Sequence, residues 1–153
     1  MNRIALILAL VLISACSSGR PESQQAVKDP VSDDLTGEYT NVHTIMHVGE
    51  SDWEEATVRD TLSIRQQRDS TAFYFALVQA NYHICEMQGT GTRTSDAIAA
   101  PPETIEFGGE EDVCLLRIVA ETDTIRLVDE GNVCRRYYCG ARASIDGIAF
   151  PRR

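Results

Sequence analysis

Positive charge is scarce in this sequence. It has 14 lysine and arginine residues and 23 aspartate and glutamate residues, which gives a net charge of −9. Lys28 is its one lysine. A chain this acidic lacks the basic face that nucleic acid binding needs, and its folded part would be repelled by anionic lipid. The same excess of carboxylates suits a basic protein partner, although it also serves simply to keep a protein soluble.

Recognisable catalytic signatures are also missing. The sequence has no G-x-S-x-G nucleophile elbow, no H-E-x-x-H zinc motif and no P-loop. Its histidines are His43, His47 and His83, and on a strand the first two would lie about 13 Å apart, too far to hold one metal ion. The cysteines lack the paired C-x-x-C spacings that are typical of zinc sites. We therefore predict no enzymatic activity, no cofactor and no metal.

The third absence is a long hydrophobic run. IALILALVLI, at residues 4–13, is shorter than the roughly 20 apolar residues of a membrane-spanning helix, but it fits the apolar region of a secretory signal. The ISAC that follows resembles the lipobox of bacterial lipoproteins. That resemblance implies a signal peptide at residues 1–15 and an acylated Cys16, and Ser17 resembles the residue that sorts lipoproteins to the outer membrane. We expect an outer-membrane protein whose domain faces the periplasm on a flexible tether, residues 16–34.

Four cysteines remain after the predicted lipidation site: Cys85, Cys114, Cys134 and Cys139. An even number in an exported chain favours two disulfides, which allows three connectivities. We favour Cys85–Cys114 between neighbouring strands and Cys134–Cys139 around a short local loop, with the other two connectivities left open.

From residue 35 onward the chain shows short alternating runs, with turn signals roughly every ten residues and no sustained helical period. Asp146-Gly147 predicts a two-residue hairpin turn, and Ser51 with Glu54 favours one helical turn within residues 51–58. The predicted strands are residues 37–44, 57–64, 71–79, 81–89, 103–108, 113–120 and 124–130. We predict that residues 35–153 form an all-β domain, a small antiparallel up-and-down barrel of about eight strands.

The segment DLTGEYT, at residues 34–40, resembles the opening strand of lipocalin-like barrels. An eight-stranded barrel holds either its own side chains or one small ligand. An apolar cavity of about 300 Å³ or more would favour a lipocalin-like carrier of a small hydrophobic ligand, which is the alternative to protein binding. A barrel without that room would be filled by large apolar side chains, and the candidates are Leu62, Phe73, Phe75, Leu116 and Leu127.

The segment CRRYYC, at residues 134–139, carries the candidate binding residues Arg135, Arg136, Tyr137 and Tyr138. Cationic and aromatic side chains held by disulfides make good interface anchors. The alternative is that they belong to a disulfide-bonded corner of the barrel and have only a structural role. Acidic clusters at residues 52–55 and 110–112 fit a docking edge for a basic protein, or solvated loops.

This layout is similar to that of the membrane-bound lysozyme inhibitors, small disulfide-bonded β-barrel lipoproteins of Gram-negative bacteria. The resemblance implies that the partner is a basic lysozyme. An immunity protein against a periplasmic toxin, or an accessory subunit of an envelope machine, would have the same layout. The Ser-Gly-x-x-Tyr inhibitory loop of that family is absent here, so no inhibitory residue is assigned.

Overall fold

A computed structural model describes residues 34–152, so the predicted signal peptide, Cys16 and nearly all of the predicted tether lie outside the described residues. The described chain is built from ten strands, one short α-helix and two 3₁₀ turns at residues 80–82 and 130–132. The strands and the helix are β1 (Gly37–Val48), β2 (Trp53–Gln66), β3 (Thr71–Gln79), β4 (His83–Arg93), β5 (Ala97–Ala99), β6 (Glu103–Phe107), β7 (Glu110–Cys114), β8 (Leu116–Ala120), β9 (Thr124–Asp129), α1 (Arg135–Tyr138) and β10 (Ala149–Pro151).

Eight strands form one antiparallel sheet in the order β1-β2-β3-β4-β5-β8-β9-β10, which curls into a nearly closed barrel. The strands β6 and β7 are inserted in this meander and form a separate two-stranded sheet, which we call the acidic hairpin. The predicted all-β antiparallel barrel of about eight strands with two disulfides is therefore confirmed.

Alternation along each strand separates the core from the surface, since successive side chains of a strand point to opposite faces. In β3, Phe73, Phe75 and Leu77 point inward and are buried, whereas Tyr74 points outward. All five apolar residues proposed above as fillers of the interior are buried. The core also contains Leu35, Ile64, Ile98, Ile118, Ile125, Ile145 and Phe150.

Two glycines let β4 bend from one partner strand to the next. Gly89 lies opposite Phe73, and a Cβ at Gly89 would come within 2.9 Å of the Phe73 ring. A Cβ at Gly91 would come within 2.7 Å of the Ala99 carbonyl oxygen on β5. These close approaches are available only without a side chain, and they allow the sheet to curl at this point.

The β1–β2 hairpin extends beyond the barrel. The pairing of β2 with β3 ends at Thr61, whereas β1 and β2 stay paired as far as Val48 and Trp53. The free end of the hairpin rests on the turn at residues 80–82, where Asn81 Oδ1 accepts a 2.9 Å hydrogen bond from the Val48 N–H.

Three local predictions were wrong. Residues 51–58 contain no helical turn, because Trp53 already begins β2 and pairs with Val48. Asp146-Gly147 does form a turn, since the Ile148 N–H bonds to the Ile145 carbonyl, but that turn does not join two paired strands. The predicted strand at residues 113–120 is divided at Leu115 between β7 and β8, which lie in different sheets.

Candidate functional site

The two disulfides join Cys85 to Cys139 and Cys114 to Cys134, so the pairing favoured from the sequence was wrong. Cys134 and Cys139 lie at opposite ends of α1, and each reaches a different strand. Cys85 on β4 faces Leu77 of β3, whereas Cys114 ends β7 in the separate hairpin, so the two were never on neighbouring strands. Both bridges therefore fasten α1 to the rest of the domain.

A buried carboxylate orients the start of α1. Asp129 accepts hydrogen bonds from the backbone N–H groups of Cys134 and Arg135, each at 3.0 Å, and the Asp129 side chain is itself buried. The first N–H groups of a helix have no partner within the helix, so this contact satisfies two of them. The Asp129 N–H in turn donates a 3.1 Å hydrogen bond to Asp146 Oδ1. The Asp146-Gly147 turn therefore positions an acceptor for the backbone of Asp129.

Two of the four predicted binding residues face the acidic hairpin. Arg136 pairs with Asp112 at 3.1 Å, and the Tyr138 hydroxyl donates a hydrogen bond to Glu103. Burial, followed by this hydrogen bond to a carboxylate, raises the pKa of Tyr138 to about 12. Arg136 and Tyr138 are therefore committed to intramolecular contacts that hold α1 against the hairpin.

The other two predicted residues remain available to a partner. Tyr137 is 63% exposed, and its ring contacts Tyr138 edge-on with centroids 5.1 Å apart. Arg135 is exposed, and within residues 34–152 no acceptor or carboxylate contacts its guanidinium. The structure thus leaves the side chains of Tyr137 and Arg135 exposed, whereas Arg136 and Tyr138 contact the hairpin.

The acidic hairpin presents like charges on its outward face. Glu106 and Glu111 lie directly opposite each other in the β6–β7 register, and both are exposed. Like charges at directly opposed positions destabilise a strand pair, so a cation bound between them would relieve a repulsion built into the hairpin. Gly108 and Gly109, both with positive φ, form the two-residue turn beside this pair. The cluster at residues 110–112 was visible in the sequence, but the contribution of Glu106 required the strand register.

A second polar cluster lies where β2 and β3 separate, and the sequence analysis missed it. Asp60 Oδ1 accepts a 2.8 Å hydrogen bond from the Val78 N–H, and His43 Nε2 donates to the Val78 carbonyl at 3.1 Å. The remaining atoms, Asp60 Oδ2 and His43 Nδ1, are 3.5 Å apart, and neither has a hydrogen bond. The signal was a carboxylate interrupting the apolar face of residues 57–64.

The environment of Asp60 favours its protonated form. Its side chain is 1% exposed, and this burial raises the pKa of the carboxyl against the opposing effects of the Val78 hydrogen bond and of His43. The Nε2 proton of His43 is already donated to the Val78 carbonyl. A hydrogen bond between His43 Nδ1 and Asp60 Oδ2 therefore requires one further proton on one of these two atoms. His43 and Asp60 thus supply the hydrogen bonds to Val78 that a paired residue of β2 would make if the β2–β3 ladder continued beyond Thr61.

The described grooves are open to solvent, and one of about 250 Å³ is lined mostly by apolar residues, among them Phe73, Met87 and Pro101. One of about 360 Å³ runs along a cross-strand row of outward side chains, Glu38, Ser63 and Tyr74, and is open to solvent. Among residues 34–152, no group of three or more histidine, cysteine, aspartate or glutamate side chains is placed to hold a metal ion. In the same range, no helix is long and apolar enough to cross a membrane.

Comparison with known protein families, with curated proteins and with solved structures finds no match to this chain.

Proposed function

We propose that this chain is a lipid-anchored periplasmic protein that binds a basic protein partner and has no enzymatic activity of its own. The binding region comprises the acidic hairpin and α1, which contacts the face of the hairpin opposite to Glu106 and Glu111. The single observation that carries the proposal is the directly opposed pair of exposed carboxylates, Glu106 and Glu111. Carboxylates that repel each other gain most from a cationic partner, and a rigid tyrosine is a typical interface anchor.

Rigidity of the surface supports the same proposal. The two disulfides, the Arg136–Asp112 ion pair and the Asp129 cap hold α1 in one position before any partner arrives. A preorganised surface loses less conformational entropy on binding than a flexible one. The net negative charge of the chain would also speed the approach of a basic protein.

The alternative, a lipocalin-like carrier, finds less support. The interior positions of the barrel are occupied by side chains such as Phe75, Leu127 and Phe150, which are fully buried. The described groove of about 360 Å³ is open to solvent and is lined in part by charged Glu38 and Arg65, and the more apolar groove that contains Phe73 and Met87 has a volume of only about 250 Å³. A carrier of a hydrophobic molecule needs an apolar cavity that encloses most of its ligand.

A lysozyme serves as the basic probe for the binding test. The full chain, extracted in detergent, is titrated with lysozyme by calorimetry. We expect the double variant Glu106→Gln/Glu111→Gln, and separately Tyr137→Ala, to weaken binding by about tenfold or more, which corresponds to roughly 1.4 kcal/mol. The control Asp69→Asn/Asp123→Asn removes the same charge from exposed loops elsewhere.

Binding that survives the control and is lost in the two test variants supports this surface. Equal weakening by Glu106→Gln/Glu111→Gln and by the control, with Tyr137→Ala unchanged, would mean that only the bulk charge matters, and failure of the parent chain to bind lysozyme would overturn the lysozyme assignment. The anchor is tested separately with Cys16→Ser, which should leave the membrane fraction. If that variant sediments with membranes at the parent's apparent mass, the lipid anchor is wrong.

A further inference from the structure

A groove of about 340 Å³ lies over β4, between β3 and α1, and is open to solvent. Its lining residues are Tyr74, Glu86, Met87, Gln88 and Tyr138. The strand β3 pairs with one edge of β4, and Cys139, at the end of α1, pairs with Cys85 on the other edge. The two tyrosines therefore stand on opposite sides of β4, with Glu86 on the strand between them.

Both tyrosines of this groove direct their hydroxyl groups to carboxylates. Tyr74 donates a 3.0 Å hydrogen bond to Glu86 Oε1, and Tyr138 donates to Glu103. The hydrogen bond to Glu86 raises the pKa of Tyr74, and burial, followed by the hydrogen bond to Glu103, raises that of Tyr138 to about 12. Both side chains are therefore neutral phenols at pH 7. Donation to a carboxylate polarises the phenol, which makes the negative face of its ring more electron-rich.

The carboxylates beside these rings have no basic partner among the described residues. Within residues 34–152, neither Glu86 nor Glu103 forms an ion pair with an arginine or a histidine. Glu86 is exposed, and the Tyr74 hydroxyl is the one hydrogen-bond donor that contacts its carboxylate in the same range. The groove thus combines two electron-rich rings with a carboxylate whose charge is not neutralised, which is the set of groups that binds organic cations.

We propose that this groove binds the guanidinium group of an arginine side chain that belongs to a protein partner. A guanidinium stacks on aromatic rings and donates two parallel hydrogen bonds to a carboxylate, which here is Glu86. Each carboxylate oxygen accepts more than one hydrogen bond, so Glu86 keeps its contact with Tyr74. The elements on either side of β4 are two strand spacings apart, about 10 Å. A cation above β4 can therefore lie within the ~6 Å of both rings at which cation–π attraction operates.

The open shape of the groove selects a protein side chain over a free small molecule. Sites for small molecules usually enclose most of their ligand, whereas a protein partner would cover the open side of this groove with its own surface. Free arginine would also bring its α-carboxylate close to Glu86 and Glu103, and the repulsion is absent for an arginine within a chain. The groove contains none of Glu106, Glu111 and Tyr137, so this inference does not depend on the lysozyme binding proposed above.

Titration of the full chain in detergent micelles with N-acetyl-arginine methylamide, followed by NMR of the backbone amides, tests this groove. The probe is capped at both ends, so it presents an arginine side chain as a protein does. We expect saturable shifts of the Tyr74, Glu86 and Gln88 amide signals. The neutral analogue N-acetyl-citrulline methylamide keeps the shape but not the charge, and it should bind at least about tenfold more weakly.

Two pairs of variants separate this groove from the general charge of the chain. Glu86→Gln removes the charge but keeps an acceptor for Tyr74, and it should weaken binding of the capped arginine at least about fivefold. Its matched control, Glu110→Gln, removes an exposed carboxylate of the acidic hairpin and should have no such effect. Tyr74→Leu should weaken binding by about the same factor, whereas Tyr82→Leu, which removes another exposed tyrosine, should not. The dispersion of the amide spectrum shows that each variant is folded.

Three outcomes would overturn the proposal outright: no saturable shifts at the groove, equal weakening by Glu86→Gln and Glu110→Gln, or equal binding of the arginine and citrulline probes. Free arginine is titrated in parallel. If it binds more tightly than the capped form, the ligand is a small molecule and the assignment to a protein partner is wrong. Failure of lysozyme to bind the parent chain would leave these results unchanged, because the capped arginine reports on the groove alone.

Discussion

Asp60 and Val78 are joined as neighbouring strands would be, although no strand pairing connects them. The Val78 N–H donates to Asp60 Oδ1 at 2.8 Å, and the Val78 carbonyl accepts from His43. Val78 is paired with Ile84 on its other side, so its groups on the β2 side would otherwise be buried without a partner. Two side chains thereby allow the β1–β2 hairpin to leave the barrel without breaking the hydrogen bonding of β3.

Substitutions at Asp60 should distinguish what its hydrogen bond contributes to stability from what its charge contributes. Asp60→Asn keeps an acceptor for Val78 and supplies a donor for His43 Nδ1, so we expect unchanged or increased stability at neutral pH. Asp60→Ala leaves the Val78 N–H unsatisfied and should cost about 1–3 kcal/mol. Urea unfolding followed by circular dichroism measures both, and equal losses in the two variants would contradict this assignment.

Stability should also depend on pH through Asp60. Burial raises the pKa of the folded carboxyl above its ordinary value of 3.8, so the folded state holds this proton more tightly than the unfolded chain. The free energy of unfolding should therefore fall as the pH rises from about 3.8 through the raised pKa, and level off above it. The Asp60→Asn variant should not show this fall in the free energy of unfolding. A difference between variant and parent that stays constant from acid to neutral pH would show that Asp60 does not titrate in this range.

The two disulfides should contribute unequally. Cys85 and Cys139 are 54 residues apart, whereas Cys114 and Cys134 are 20 residues apart. Loop entropy predicts losses of about 4 and about 3 kcal/mol for the respective Ala/Ala double variants, measured by urea unfolding. The connectivity itself can be read from non-reduced tryptic peptides, because cleavage after Arg135 or Arg136 separates Cys134 from Cys139. A bridge found between those two cysteines would contradict the structure.

Tyr138 should report on the contact between α1 and the acidic hairpin. With a pKa of about 12 against an ordinary value of 10, its phenol keeps its proton longer in the folded state, so stability should be lost as the pH rises from about 10 to 12. Glu103→Gln should lower the pKa in a tyrosinate absorbance titration, but only in part, since burial is the larger cause. An unchanged titration curve would mean that Glu103 does not accept this hydrogen bond.

Several features of the fold could be predicted because they depend on local pattern. The alternation of Phe73, Phe75 and Leu77 with polar or small residues led to the exact bounds of β3, since a strand with one buried face shows this period directly. The prediction of β1 and β2 was correct in type but too short. In the outer half of β1 the exposed face carries apolar Val42, Met46 and Val48, whereas the inner face carries two histidines, so the sequence shows no clear alternation of polar and apolar residues.

The candidate site was predictable in composition but not in arrangement. The sequence identified Arg135 to Tyr138 as unusual, yet only the folded chain divides them into residues bound internally and residues that face outward. Likewise, Asp60 was visible as an interruption in an apolar face, but its partner Val78 is 18 residues away and is fixed by the separation of two strands.

The sequence by itself determined the all-β class, the approximate strand number and the net negative charge, because composition and period-two alternation are properties of the chain at short range. Tertiary structure alone decided which cysteines pair, that Glu106 faces Glu111, and that the free end of the β1–β2 hairpin rests on the turn at residues 80–82. Each of these depends on strand order and register, which arise from contacts between residues distant in sequence. The insertion of the acidic hairpin into the meander moved Cys114 away from β4 and next to Cys134, and no local pattern encodes that displacement.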